Sequence, residues 1–145
     1  MSRSQQLVES VSETLETMFY TAVEEVVEGQ STPRVGRTEF RGTLNGRMAV
    51  GLDDGAADGL TASFLGLDLE DLSEQDREQV LSELANIVCG SYLSAAHPEG
   101  RFDLAAPEVG VREEEVEREA WEERICFGIP EGLFRVWLAV RKEQA

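Results

Sequence analysis

The chain has 145 residues, 41% of them hydrophobic and 29% charged, which suits one soluble domain with a real core. Its 29 acidic residues outweigh 13 basic ones, and the net charge of −16 speaks against nucleic-acid binding and against adsorption to an anionic membrane, since both need basic patches. No apolar run approaches the ~20 residues of a membrane span, and the opening "MSRSQQLVES" lacks the apolar core of a signal peptide, so a cytoplasmic protein is expected. Cys89 and Cys126 lie in apolar contexts without C-x-x-C spacing and read as buried thiols, not as a disulfide or a metal site.

The first predicted element is a helix over Ser4–Glu28. Leu7, Val11, Leu15, Met18, Ala22 and Val26 keep the rhythm of one buried stripe, widened by Phe19, Val23 and Val27. "GQSTPRVG" breaks it, with Gly29 just past its end and Pro33 beyond. Two strands follow, Arg34–Arg41 and Arg47–Leu52, with Asn45-Gly46 as the hairpin turn signal between them. In the second, Met48, Val50 and Leu52 alternate with small residues. "DDGAADGLTASFLGL" predicts a short helix ending near Gly66 that gives Leu60, Phe64 and Leu65 to the core.

Ser73, with Asp76 three residues on, reads as a capping box opening a long helix that runs to Ala96 and stops at His97-Pro98. The segment "RFDLAAPEVGVREEEVEREA" gives no clear period; its acidic run fits a solvated helix face, a strand edge or a loop. Last comes a strand pair turned by "PEG". Trp121, Glu123, Ile125, Phe127 and Ile129 share one face of the first strand. Phe134, Val136, Leu138 and Val140 share one face of the second, opposite Arg135, Trp137 and Arg141. With no Gly/Ser-rich linker and no repeat, residues 1–145 read as a single α+β domain, its helices packed on a largely antiparallel sheet.

The long helix carries the candidate chemistry. At 100° per residue, Val80, Leu84, Val88, Ser91 and Ala95 form a core stripe flanked by Leu81, Ala85 and Tyr92 on one side and Ile87 on the other. Gln79, Glu83, Asn86 and Gly90 fall together on a different stripe. Glu83 and Asn86, three apart, project side by side. A solvated face accounts for a Glu and an Asn, but Asn disfavours a helix interior and Gly costs about 1 kcal/mol there relative to Ala. Gly90 leaves a flat spot beside Asn86 where another backbone can approach.

"SELANIVCGS" resembles the signature of the CheC/CheX/FliY family of chemotaxis phosphatases, an E-x-x-N on a helix with a Gly four residues after the Asn. The order of elements around it fits the same family, including the Pro-containing "APEVG". The chain has only two asparagines, and Asn45 has no Glu at the right spacing, so the single motif and the length look like the CheX branch. The resemblance implies hydrolysis of the phospho-aspartate of a CheY-like response-regulator receiver. Glu83 and Asn86 are then the acting pair, Gln79 and Gly90 belong to the partner-binding surface, and the protein forms a homodimer. It implies no cofactor bound by this chain, with Mg²⁺ held by the receiver. The rival is a non-catalytic receiver-binding or scaffold protein of the same fold.

Other candidates are weaker. His97, the only histidine, stands at a helix terminus beside Pro98, which suits a helix-end role more than catalysis. Glu113, Glu114, Glu115 and Glu117 lack a calcium-loop pattern and read as a solvated run. Trp137, on the polar side of the last strand, is either a dimer contact or covered by the first helix, and unpaired backbone groups of the terminal strands offer a second copy an edge to complete, which also points to a homodimer.

Overall fold

The computed structural model of the chain describes residues 2–26 and 31–141. Its first helix, α1, spans Arg3–Met18 and opens on a capping box: the Ser2 hydroxyl accepts from the Gln5 N–H at 3.1 Å, and the Gln5 side chain accepts from the Ser2 N–H at 2.9 Å. Leu7, Val11 and Leu15 of the predicted stripe are buried. The expected continuation to Glu28 does not occur. Phe19 caps the helix and stacks on Phe64 at 5.7 Å, Met18 is 46% exposed, and Tyr20 takes a left-handed φ of 52°. Glu24–Val26 then form strand β1. The reason lies in "TAVEEVV", where four of seven residues are β-branched and stiff at χ1. A neighbouring strand edge pairs with Glu24–Val26, which helical periodicity cannot reveal. Gly29 and the rest of the predicted helix end, 27–28, lie outside the described residues.

Strands β2 (Arg34–Gly42) and β3 (Asn45–Leu52) match expectation, but the chain reverses before Asn45-Gly46, at Thr43 and Leu44. Asn45 and Gly46 already belong to β3, and Asn45 Oδ1 accepts from the Gly42 N–H at 3.0 Å, tying the hairpin across its mouth. Helix α2 (Asp54–Leu65) is capped by Asp53 and closed by Gly66 at a left-handed φ of 67°. A 3-10 turn at Leu69–Asp71 leads to helix α3 (Glu74–Ala96), whose Ser73/Asp76 capping box is formed and whose C-cap is His97. The His97 ring packs against Phe102 at 6.0 Å, the helix-end role expected of it. The segment without a clear period holds two short strands, β4 (Phe102–Leu104) and β5 (Glu108–Val111), and one short helix, α4 (Glu113–Arg118). Strands β6 (Glu123–Ile129) and β7 (Gly132–Arg141) close the fold.

The seven described strands form one antiparallel sheet in the order β1-β6-β7-β3-β2-β4, with β5 also on β2. Side chains alternate between its faces. Phe134, Val136, Leu138 and Val140 of β7 join Met48, Val50, Leu52, Ile125, Phe127 and Ile129 beneath α1, α2 and α3 in the main core. The opposite face holds a smaller core of Val35, Ala49, Val111, Val116 and Trp137, with Trp121 against it.

That second core corrects two expectations. Trp137 is 0% exposed, covered from the α4 side and not by α1. The small residues of β3 make room for it: Ala49 pairs with Trp137, and a Cβ on Gly51 would come within 2.9 Å of the indole. Trp121 stands with this cluster and not with Ile125, because it precedes β6 and escapes that strand's alternation. Further, β7 is an interior strand with β6 on one side and β3 on the other. Neither an exposed Trp137 nor an open terminal strand is there to support a homodimer.

The acidic run is likewise not a solvated face throughout. Glu117 pairs with Arg135 at 3.1 Å and Arg124 at 3.5 Å, Glu119 pairs with Arg37 and with Arg47 at 3.4 Å, and Glu113 accepts from the Thr32 N–H and the Ser31 hydroxyl. These bonds clamp α4 over the arginines of the outer sheet face; Glu114 and Glu115 stay exposed.

Candidate functional site

Helix α3 is fixed in rotation before it presents anything. Val80, Leu81, Leu84, Ala85, Val88, Cys89, Tyr92 and Leu93 are buried. The core face is therefore turned toward Leu81, Ala85, Cys89 and Tyr92, with Ser91 only half-buried and Ala95 exposed. Charge holds the N-terminal end. Arg34 of β2 bonds Glu74 and, at 3.0 Å, Asp54, and the Glu74 hydrogen bond raises the Arg34 pKa further. Arg77 reaches Asp58 of α2 at 2.6 Å. Helix α1 and the sheet close the other sides, leaving one stripe of α3 facing outward.

On that stripe lie all four predicted residues, in two environments. Gln79 and Glu83 are exposed, and Glu83 makes no ion pair among the described residues. Asn86 and Gly90 are half-buried. Asn86 Oδ1 is shielded from solvent and accepts no hydrogen bond from any described residue. A buried acceptor left unpaired costs about 1–3 kcal/mol, so such a group calls for an explanation beyond packing. At Gly90 an added Cβ would meet nothing within 4 Å. Packing does not require glycine there, although the helix loses about 1 kcal/mol by having it. The result is a flat, bare stretch of helix backbone next to an amide with an unused oxygen and a carboxylate with an unused charge.

The chemistry open to this face is limited by its neighbours. Cys89, one turn from Asn86, is fully buried, and burial pushes its thiol up to about 12, so it is no thiolate nucleophile at neutral pH. Among the described residues no group of three His, Cys, Asp or Glu side chains could hold a metal ion. An acid and an amide at i, i+3 on a clamped helix can instead pair with a cation on a partner and orient a water molecule at a partner's reactive centre.

Fold and site together define an α+β domain that carries an E-x-x-N pair on the outward stripe of one long helix. Residues 34–129 match the family model described as chemotaxis phosphatase CheX, and the chain belongs to that family. The fold is shared with the chemotaxis protein CheX of Vibrio vulnificus, with a TM-score of 0.79 and 18% identity over 97% of both chains. It is shared equally with CheX of Desulfovibrio desulfuricans, TM-score 0.74 and 17% identity over 97% of this chain and 100% of that one. A chain of the CheX-CheY-BeF3-Mg+2 complex from Borrelia burgdorferi matches with a TM-score of 0.73 and 13% identity over 97% of this chain and 99% of that one. At these identities the likeness is one of fold. No curated protein matches the sequence.

Proposed function

We propose that this chain dephosphorylates the phospho-aspartate of a CheY-like response-regulator receiver, with Asn86 orienting the attacking water and Glu83 docking the partner. The observation that carries the reading is the unpaired, shielded Oδ1 of Asn86, held one turn from an exposed Glu83. Phosphoryl transfer needs positioning and charge stabilisation more than covalent help from the protein. On docking, a turn of the half-buried Asn86 side chain brings its oxygen, shielded in the free chain, out to accept a hydrogen bond from water, while its NH₂ donates to a phosphoryl oxygen. The water oxygen bonds to phosphorus in line as the bond to the aspartyl oxygen breaks, releasing the carboxylate and, after proton loss, inorganic phosphate. A carboxylate in place of the amide would set negative charge against an anionic centre. Glu83 pairs with the receiver's active-site Lys and sets the register, and Gln79 and Gly90 complete the contact. The receiver supplies the Mg²⁺.

The net charge of −16 opposes long-range attraction to an acidic receiver. Screening over about 8 Å at physiological salt limits that penalty, so association rests on local fit and is transient. A homodimer is proposed on family resemblance alone, readable by light scattering at micromolar concentration. A cytoplasmic location is proposed on the same ground; among the described residues no helix is long and apolar enough to cross a membrane.

The test is the lifetime of a phosphorylated receiver with and without this protein, in Mg²⁺. The phosphatase reading expects a shortened lifetime that scales with added protein. An unchanged lifetime alongside measurable binding would make the protein a receiver-binding scaffold instead.

A further inference from the structure

The outer face of the sheet, opposite the helices, holds a cavity of about 570 Å³ that the proposed phosphatase chemistry does not use. Its wall includes Glu39, Arg41, Asn45, Arg47, Trp121 and Arg141. In a chain of net charge −16 this is an unusual gathering of guanidinium groups. The strand register builds it. Asn45 of β3 pairs directly with Arg141 of β7, and the β2–β3 pairing that joins Phe40 to Gly46 sets Arg41 beside Asn45 on the other side. Three donor side chains thus stand in one row across three strands.

All three have donors to spare. Asn45 Oδ1 is occupied by the Gly42 N–H at 3.0 Å, which leaves its NH₂ as the free end. Arg41 and Arg141 are exposed and make no ion pair among the described residues, although Asp103 of β4 stands opposite Arg41. The other charges of the wall are mostly spent: Arg47 donates to the Ala120 carbonyl at 2.6 Å and lies over the Trp121 ring at 4.6 Å, and Glu122 is bonded to Arg3. Glu39 is the acid of the wall that makes no ion pair among the described residues.

We infer that this cavity is a binding site for a nucleotide-sized organic phosphate, its phosphoryl group held by Arg41, Asn45 and Arg141. Forked guanidinium donors suit phosphate oxygens. The volume lies within the 300–1,000 Å³ typical of small-molecule sites and far exceeds what an inorganic ion fills. Glu39 accepts from hydroxyl or amino groups of the ligand body, and Trp121 and Ala139 line the apolar part. The site is separated from Asn86 by the sheet, so the inference stands apart from the phosphatase reading.

The experiment is calorimetric titration of the full chain with AMP, with glucose 6-phosphate and with inorganic phosphate, alongside tryptophan fluorescence. Trp137 is fully buried, so a ligand in the cavity reports through Trp121. Saturable binding of an organic phosphate is expected, weakened about tenfold or more in Arg41→Gln/Arg141→Gln, since bonds to charged groups carry this order of affinity. Asn45→Asp keeps the acceptor for the Gly42 N–H, and so the hairpin, while placing a negative charge in the row; it should abolish binding with the fold intact by circular dichroism. Undiminished affinity in these variants, or no saturable binding of either organic phosphate at millimolar concentration, overturns the inference. Equal affinity for inorganic phosphate overturns the size assignment and leaves a simple anion site.

Discussion

Replacing Asn86 by alanine should make the protein more stable and less active. Three effects set the stability change. The substitution removes a shielded oxygen that has no partner among the described residues, relieving about 1–3 kcal/mol. It replaces a poor helix residue with the best one, adding about 0.5 kcal/mol. It also removes half-buried side-chain atoms, whose lost contacts offset part of the gain. The balance is about 1 kcal/mol in favour of the variant, or roughly 3 °C in melting temperature for a chain of this size. Urea and thermal unfolding measure it. The same variant should lose on the order of 10²-fold in receiver dephosphorylation, as when one preorganised polar group is removed from a site, while binding is largely kept through Glu83 and the surface at Gly90. Asn86→Asp should do no better, because its charge repels the phosphoryl group. Destabilisation of Asn86→Ala by more than 1 kcal/mol would show that the amide is a structural hydrogen-bonding group and would refute the reasoning.

Glu83→Lys should leave melting unchanged and weaken binding of the activated receiver strongly, since like-charge juxtaposition costs several kcal/mol; undiminished affinity in calorimetry removes Glu83 from its role. Gly90→Ala should stabilise the fold by about 1 kcal/mol, because its Cβ enters open space, yet raise the KM for phospho-receiver; an unchanged KM would mean that no partner backbone approaches there. Trp137→Ala should cost about 3–5 kcal/mol in unfolding, as loss of a fully buried indole does; near-neutral stability would contradict the second core. Cys89 gives the pH dependence. Its folded pKa is raised to about 12 by burial, so its contribution to stability is intact below the unfolded value near 9.0 and is lost as pH climbs toward 12. Between these limits it contributes a fall of about 1.4 kcal/mol per pH unit, and Cys89→Ala should flatten the alkaline limb of a stability profile.

The E-x-x-N face, the caps of the long helix, the strand pair at the C-terminal side and the α+β class were all legible from spacing alone. Each is a local property: a helix brings residues three and four apart together wherever it is placed, and Ser73 finds the Asp76 N–H without any help from the rest of the chain. What needed the tertiary structure was every question of which face meets what. Residues 20–26 keep a helical rhythm, yet part of them becomes β1 because an edge of β6 is there to pair with it. Trp137 reads as a dimer contact or a residue under the first helix until α4, itself without a clear period, folds over it with Glu117 and Glu119 as its clasps. The unpaired oxygen of Asn86 and the open space at Gly90 depend on the packing of α1, α2 and the sheet around α3, and the row of Arg41, Asn45 and Arg141 is completed only by the register of the β2–β3 hairpin against β7, a strand distant in sequence. Local hydrogen bonds and side-chain periodicity are written into neighbouring residues, whereas burial, pairing partners and orphaned polar atoms arise only when distant segments compete for the same space.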